Sequence, residues 1–470
     1  MTHIYRGTDY RSNILTTLTL FESLGFLINH EKSVLQPCQK LAFLGSLLDS
    51  VNMKVFLTAE KTEKIILACQ QLLKKSIISI REVAQVIGLL VSSLPAVQYG
   101  PLFYRSLEID KNRALQQNNG NYEPNMTLSS ESISERRWWV TNLPTACKSI
   151  TMDNPDIEMA TDASKLGWGA VCNGQSAQGM WSPFEKQKHI NELELLAVYF
   201  GFKSFQPLLK GKHVCIKTDN STTVCYLNAM GGTKSPPCNK LAKSIWMYCM
   251  ENDIWLTACH LPGVLNIEAD VSSRQFNERT EWQLQPDIFC KITDILGIPE
   301  IDLFACRLNN QLPKYVSWKP DPGACYVNAF SFSWSGQFVY IFPPFSLLNR
   351  CLQKLEKDQT LALLVAPVWP TQVWWPRLLS LLVANPLMLP QDKDLLTLPQ
   401  SGTLHPLRKQ MRLMACFLSG STMKQEEYRS QLLDCSRHPG GGALRNSTPC
   451  TSRNGQHFVS RGKSIIFNHL

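Results

Sequence analysis

No Cys-x-x-Cys pair occurs among the 16 cysteines of this 470-residue chain, so the spacing of a zinc ribbon or knuckle is missing. The cysteines are scattered, and Cys69, Cys215 and Cys259 sit in apolar runs, as buried free thiols of a reducing compartment do. No apolar run reaches about eighteen residues, so no membrane span is expected. The first residues, Met1 to Gly7, lack the basic-then-apolar layout of a secretory leader. These absences point to an intracellular protein, cytoplasmic or nuclear. The chain also holds no Asp-Asp dipeptide. Charge is modest, with 18% Asp, Glu, Lys and Arg. Its net +9 is concentrated in residues 401–470, which hold 10 Lys and Arg against 3 Asp and Glu. A positive excess favours contact with a phosphate backbone without specifying sequence, and a solvated basic linker explains it equally well. At this length about three domains are expected.

What is present is a set of four spaced acids. Asp162 and Asp219 each end a short apolar run of strand type (Ile157 to Ser164, Ile216 to Ser221). Glu194 lies in the first turn of a helical pattern that continues through Leu195, Leu196 and Val198 to Phe200. Asp270 follows another strand, Ile254 to Cys259, by ten residues beyond His260. Strand ends, a helix start and a loop can bring four acids to one cleft. Carboxylates suit phosphodiester hydrolysis, in which two Mg2+ ions roughly 4 Å apart activate a water and neutralise the leaving oxygen. Mg2+ is hard, takes oxygen ligands and keeps part of its water shell, so a few carboxylates suffice.

Asp162-Ala163-Ser164 with Gly167-Trp168-Gly169-Ala170, His189-Ile190-Asn191-Glu192-Leu193-Glu194, and His260-Leu261-Pro262-Gly263 resemble the RNase H domain of retroelement polyproteins. In detail they are similar to DIRS-type retrotransposons, which use a tyrosine recombinase. The resemblance implies that Asp162, Glu194, Asp219 and Asp270 hold two Mg2+ ions, with Mn2+ able to substitute. His260 would assist turnover, and Glu194 takes the second position ahead of Glu192 because it directly precedes the Leu-Leu-Ala helix. The implied substrate is the RNA strand of an RNA–DNA hybrid.

The flanks extend the resemblance. Residues 1–55, with Gly25-Phe26-Leu27-Ile28-Asn29 and Leu41-Ala42-Phe43-Leu44-Gly45 read as strand, turn, strand, resemble a reverse-transcriptase palm remnant. Template-directed nucleotide transfer needs paired aspartates there. With no Asp-Asp and no fingers before Met1, polymerase activity is not expected. Residues 56–150 resemble thumb and connection: Leu57 to Lys75 and Ser79 to Leu94 read as amphipathic helices, the second opened by a Ser79-x-x-Glu82 capping box. Within the connection helix, Leu128 to Val140, Arg136, Arg137 and Trp138 either grip nucleic acid or dock the helix on its neighbour. Lys234 is a further backbone-contact candidate.

Residues 151–278 are the RNase H domain, expected as a mixed five-stranded sheet with helices. Residues 279–400, with Glu300 to Ala305, Tyr340 to Phe345 and Leu361 to Pro367 as strand ends, resemble a small α/β adenine-methylase-like domain. Such enzymes place Asn or Asp before Pro-Pro, but Phe342 precedes Pro343-Pro344 here, and no Gly-rich cofactor loop is evident. Residues 401–470, with a short helical run to Leu418, read as basic linker and disorder.

The fold class expected is therefore α/β multidomain. The leading function is an RNase H-type endonuclease, with contacts to DNA or RNA backbones and to full-length retroelement polymerase copies, and no membrane partner. The alternatives are a catalytically silent nucleic-acid-binding relic and a DNA adenine methyltransferase.

Overall fold

The computed structural model describes residues 10–75, 77–151, 153–276, 282–434 and 457–470. The described chain divides into two compact units, residues 1–154 with 229–239, and residues 155–228 with 240–470.

In the first unit, α1 (Tyr10–Ser23) precedes β1 (Lys40–Phe43), β2 (Ser46–Asp49) and β3 (Lys54–Leu57), which pair antiparallel. The strand expected at Gly25 to Asn29 does not form. Phe26 and Leu27 are exposed there, and without a partner strand their β-propensity gains no ladder. The tight link of β1 to β2 uses Leu44 and Gly45, both at positive φ. Four helices follow, α2 (Ala59–Lys74), α3 (Ile80–Ser93), α4 (Arg105–Gln117) and α5 (Ser130–Asn142), and then β4 (Cys147–Ser149) closes the sheet beside β3.

The Ser79 capping box forms as expected, with Glu82 reaching back to the Ser79 N–H. The helices bury one apolar stripe each, Ile65, Cys69 and Leu72 on α2 and Val83, Ile87 and Leu90 on α3. Gly88 lies on the exposed side of α3 with no atom near the place a Cβ would take. Gly88→Ala is therefore expected to stabilise the protein by about 0.5–1 kcal/mol, read as a raised urea midpoint with unchanged m-value.

In the second unit, β5 (Ile157–Ala163), β6 (Gly167–Cys172) and β7 (Gln175–Met180) form an antiparallel meander. β8 (His213–Thr218) joins β5 in parallel, and β9 (Trp255–His260) joins β8, also in parallel. The order is β9-β8-β5-β6-β7, the mixed five-stranded sheet expected. β8 is apolar without alternation (Val214, Cys215 and Ile216 all buried) because a parallel strand is covered on both faces. α6 (Ile190–Ser204) packs on β5 and β6, and Gly201 lets it approach the Met159 side chain. Then come α7 (Ser221–Asn228), α8 (Pro236–Glu251) and α9 (Ile267–Arg274).

The rest of this unit is built around a six-stranded second sheet. After α10 (Pro286–Leu296), its strands are β10 (Ile301–Asp302), β11 (Phe338–Ile341), β12 (Leu361–Pro367), β13 (Leu387–Met388), β14 (Leu413–Ser419) and β15 (Asn468–His469). They lie in the order β10-β11-β12-β14-β13-β15. Leu361 to Pro367 forms the strand expected, and α11 (Leu348–Lys357) and α12 (Trp375–Ser380) cover its surroundings.

The reading of 401–470 as linker fails for its described part. β14 pairs with β12 along its whole length at the centre of the sheet, and α13 (Thr422–Gln431) follows it. Leu413, Met414, Ala415, Cys416 and Leu418 are buried, so this apolar run is a strand covered on both faces rather than a helix. Residues 435–456 of the expected linker lie outside the described residues.

Candidate active site

Parallel pairing of β5 with β8 fixes where two acids fall. Ala160 is the register partner of Lys217, so two residues further on Asp162 and Asp219 leave adjacent strand ends at the same level. α6 begins beside them, with His189 as N-cap accepting from the Asn191 N–H, and it carries Glu194 near its first turn. Ligand oxygens of Asp162, Glu194 and Asp219 all lie within 4.8 Å of one another. Asp162 and Glu194 are buried and Asp219 is exposed, so the group opens to one side.

Burial and mutual repulsion show in the acidities. Burial, with Asp162 and Asp219 close by, pushes the Glu194 carboxyl up to about 9. The Asp162 carboxyl is also raised, first by burial and then by Asp219 and Asp270, against the bond from Ser273 that holds it down. Ser273 Oγ donates to Asp162 Oδ2 at 2.6 Å. Glu194 Oε2 is buried without a hydrogen-bond partner. Three hard carboxylates, one with an orphaned oxygen, suit a divalent cation of the Mg2+ or Mn2+ kind.

The fourth acid stands apart. Asp270 lies on α9 outside the 4.8 Å group, and its Oδ1 accepts from Arg274 Nε at 2.6 Å. His260 is exposed at the end of β9, its Nε2 3.1 Å from the backbone oxygen of Asp219. A side chain at Gly263 would start 2.9 Å from Asp219 Oδ2, so the glycine of His-Leu-Pro-Gly leaves that carboxylate room. Glu192, the competitor for the second position, instead pairs with Lys188 at 3.7 Å.

Residues 153–245 match the sequence model of the RNase H-like domain found in reverse transcriptase. These residues form an RNase H-like domain. The enzymatic polyprotein of figwort mosaic virus (strain DxS) is 30% identical over 130 residues, which cover 25% of this chain and 18% of that protein. The chain thus spans under a fifth of that curated relative. Among solved structures, foamy viral protease-reverse transcriptase dRH in complex with double-stranded DNA shares 16% identity over 54% of this chain and 44% of its own, with a TM-score of 0.25. LC11-RNase H1 in complex with RNA/DNA hybrid shares 19% identity over 25% of this chain and 93% of its own, with a TM-score of 0.23. RNase H1 of Halobacterium salinarum NRC-1 shares 16% over 25% and 92%, with a TM-score of 0.21.

Three residues that support the acid cluster escape a linear reading. Ser273 orients Asp162, Asn266 Nδ2 ties the start of α9 to the Thr161 carbonyl at 3.0 Å, and Gly169 lets α9 lie against β6. Only the tripeptide Val271-Ser272-Ser273 behind Asp270 hints at the first of these.

The nucleic-acid candidates Arg136, Arg137, Trp138 and Lys234 belong to the other unit. Arg136, expected as a nucleic-acid contact, is 2% exposed and its Nε donates to the Ser132 carbonyl, so it cannot reach a backbone phosphate. Trp138 stacks on Phe103 with centroids 3.9 Å apart, the docking alternative for that ring. Arg137 and Lys234 are exposed.

In the C-terminal sheet, buried Asp302 accepts from the Phe304 and Gln311 N–H groups, which makes it a loop staple. Phe342 and Phe345 meet edge to face.

Proposed function

We propose that this chain hydrolyses the RNA strand of RNA–DNA hybrids with a pair of divalent ions, Mg2+ with Mn2+ as substitute, as part of a DIRS-type retroelement polyprotein. The observation that carries this reading is the convergence of Asp162, Glu194 and Asp219 within 4.8 Å. The match of residues 153–245 to a reverse-transcriptase RNase H-like domain supports it.

Asp162, Glu194 and Asp219 would hold the ions, with Asp270 joining once its carboxylate leaves Arg274. Ions held there would activate a water and offset charge on the leaving oxygen. The protein's own work is positional. Ser273 fixes the Asp162 carboxylate through its 2.6 Å bond and favours its ionised form. The β5–β8 pairing holds two acids at one level, and the exposed side of Asp219 admits the scissile backbone. Exposed His260, beside Asp219, serves turnover.

The surrounding segments extend the reading: residues 1–55 as palm remnant, 56–150 as thumb and connection, and 279–400 as a methylase-like domain, with Arg137 of the connection and Lys234 of the 151–278 segment touching backbone. Methyl transfer is not part of it, since Phe342 offers no acceptor to a target amine.

The test is cleavage of a labelled hybrid by the full chain in Mg2+ and in Mn2+, against RNA–RNA and DNA–DNA duplexes. Cutting confined to the RNA of the hybrid is expected. Binding without cutting in either ion would leave a silent nucleic-acid-binding relic. The same assay reports on Ser273: Ser273→Ala is expected to slow cleavage about tenfold and weaken Mg2+ binding, because the lost bond is worth roughly 1–2 kcal/mol.

A further inference from the structure

Within the second unit, the loop that follows β10 leaves the C-terminal sheet and touches the RNase H-like domain. Three side chains fix its backbone. Asp302 accepts from the Phe304 N–H at 3.2 Å and from the Gln311 N–H at 3.1 Å, which brackets the loop at both ends. Asn309 Oδ1 accepts from the Cys306 N–H at 2.7 Å, and Asp321 Oδ1 accepts from the Arg307 N–H at 3.1 Å. Bonds of this kind hold a loop in one conformation, so Arg307 projects from a fixed base.

The Arg307 side chain spends itself on the other domain. Nη1 and Nη2 donate to the two oxygens of Glu185 at 2.9 and 3.0 Å, and Nη2 also donates to the Met180 carbonyl at 3.1 Å. Its guanidinium lies over the Phe200 ring, 4.4 Å from the centroid. The pair is largely withdrawn from water, with 20% of the Arg307 side chain and 13% of the Glu185 side chain exposed. A bidentate fork stacked on an aromatic face fixes orientation as well as distance, which a surface ion pair does not. Lys186 Nζ adds a second tie, donating to the Gln400 carbonyl at 3.4 Å.

These partners fall on either side of a clustered acid. Glu185 opens the short 3-10 turn Glu185–Gln187, which leads through the N-cap His189 into α6. Phe200 lies in the second half of α6 and packs on Trp168 of β6, with centroids 5.4 Å apart, and on Trp181, 6.0 Å apart. Glu194 sits between the two in the chain. One guanidinium from the C-terminal sheet therefore bridges the entry and the body of the helix that carries Glu194.

We propose that the C-terminal sheet braces the RNase H-like domain, with Arg307 as the positioning residue that holds α6, and hence Glu194, in place beside Asp162 and Asp219. The effect on cleavage rests on the hydrolytic reading, and the brace itself does not.

Arg307→Ala strands Glu185 as an unpaired, mostly buried carboxylate, which can unfold the domain outright. The test therefore uses the full chain carrying Glu185→Gln/Arg307→Met, which removes both charges together at similar volume. Amide hydrogen exchange without metal is expected to be about tenfold faster or more from the Glu185 turn through Phe200, with β5 and β8 unchanged. In Mg2+, well below the melting temperature, the maximal single-turnover cleavage rate should fall about tenfold while the half-saturating hybrid concentration stays within about twofold, because a shifted helix acts on the reacting geometry and not on backbone contacts. A role in stability alone would lower Tm and leave that rate native. Native exchange in the double variant overturns the brace. Faster exchange with a native cleavage rate overturns the positioning role of Arg307. Should the native chain cut no hybrid, the hydrolytic reading falls and the exchange result alone decides the brace.

Discussion

Asp162→Asn, Glu194→Gln and Asp219→Asn are each expected to slow hydrolysis of the hybrid's RNA strand roughly 10³-fold, the equivalent of about 4 kcal/mol of lost charge stabilisation. Hybrid affinity should change by less than about threefold, since backbone contacts dominate it. Single-turnover cleavage and fluorescence anisotropy separate the two quantities, and a variant retaining near-native cleavage would remove its carboxylate from the proposed centre.

Glu194→Gln carries a second, opposite signature. Burial raises the Glu194 carboxyl from its ordinary 4.5 to about 9, so the folded state prefers it neutral. Protonated Glu194 adds stability below about 4.5, and that contribution is lost as pH rises toward 9. Metal-free Glu194→Gln should therefore be more stable than the native chain, on the order of 2 kcal/mol at pH 8, with the gap shrinking as pH falls. Millimolar Mg2+ or Mn2+ should stabilise the native chain and narrow the gap, because only ionised Glu194 gains from the cation. Equal Tm values for both proteins at pH 5 and pH 8 without metal would contradict this account of the cluster.

Gly169→Ala is the second large effect, and it acts without touching an acid. A Cβ at Gly169 would lie 2.5 Å from the Ala269 oxygen, 2.6 Å from Ser272 Cβ and 2.8 Å from the Ser273 nitrogen. Two of these are backbone atoms of α9, so no side chain can swing aside and the helix must move off β6. That displacement separates Ser273 from Asp162 and also carries Asp270 away. A loss of about 1–3 kcal/mol of stability is expected, together with a fall in cleavage of about 30-fold or more, as misplacement of a supporting element can cost about 10²-fold. Denaturant melts and cleavage rates check both. An unchanged rate would show that α9 does not position the centre.

The two acids at strand ends were readable from Ile157 to Ser164 and Ile216 to Ser221, because a run of strand type that turns polar locates its own end. Glu194 was legible by its place before an apolar helical run, and Lys188 takes the competing Glu192. The capping box at Ser79 was equally local, since its whole chemistry spans four residues.

Other features needed the third dimension. Leu413 to Leu418 reads as either a buried helix or a buried strand, and only its pairing with Leu361 to Pro367 decides it. Arg136 beside Trp138 looks like a nucleic-acid grip until packing shows the guanidinium enclosed and the ring stacked on Phe103. The bond from Ser273 to Asp162 joins residues 111 apart in the chain. The sequence by itself determined which short segments form and which acids stand at their ends, because hydrophobic periodicity and capping act within one turn or one strand. Tertiary structure alone decided which of those acids meet, which charges are spent on one another and which polar atoms are left wanting, because desolvation and Coulomb forces depend on distance in space and not along the chain.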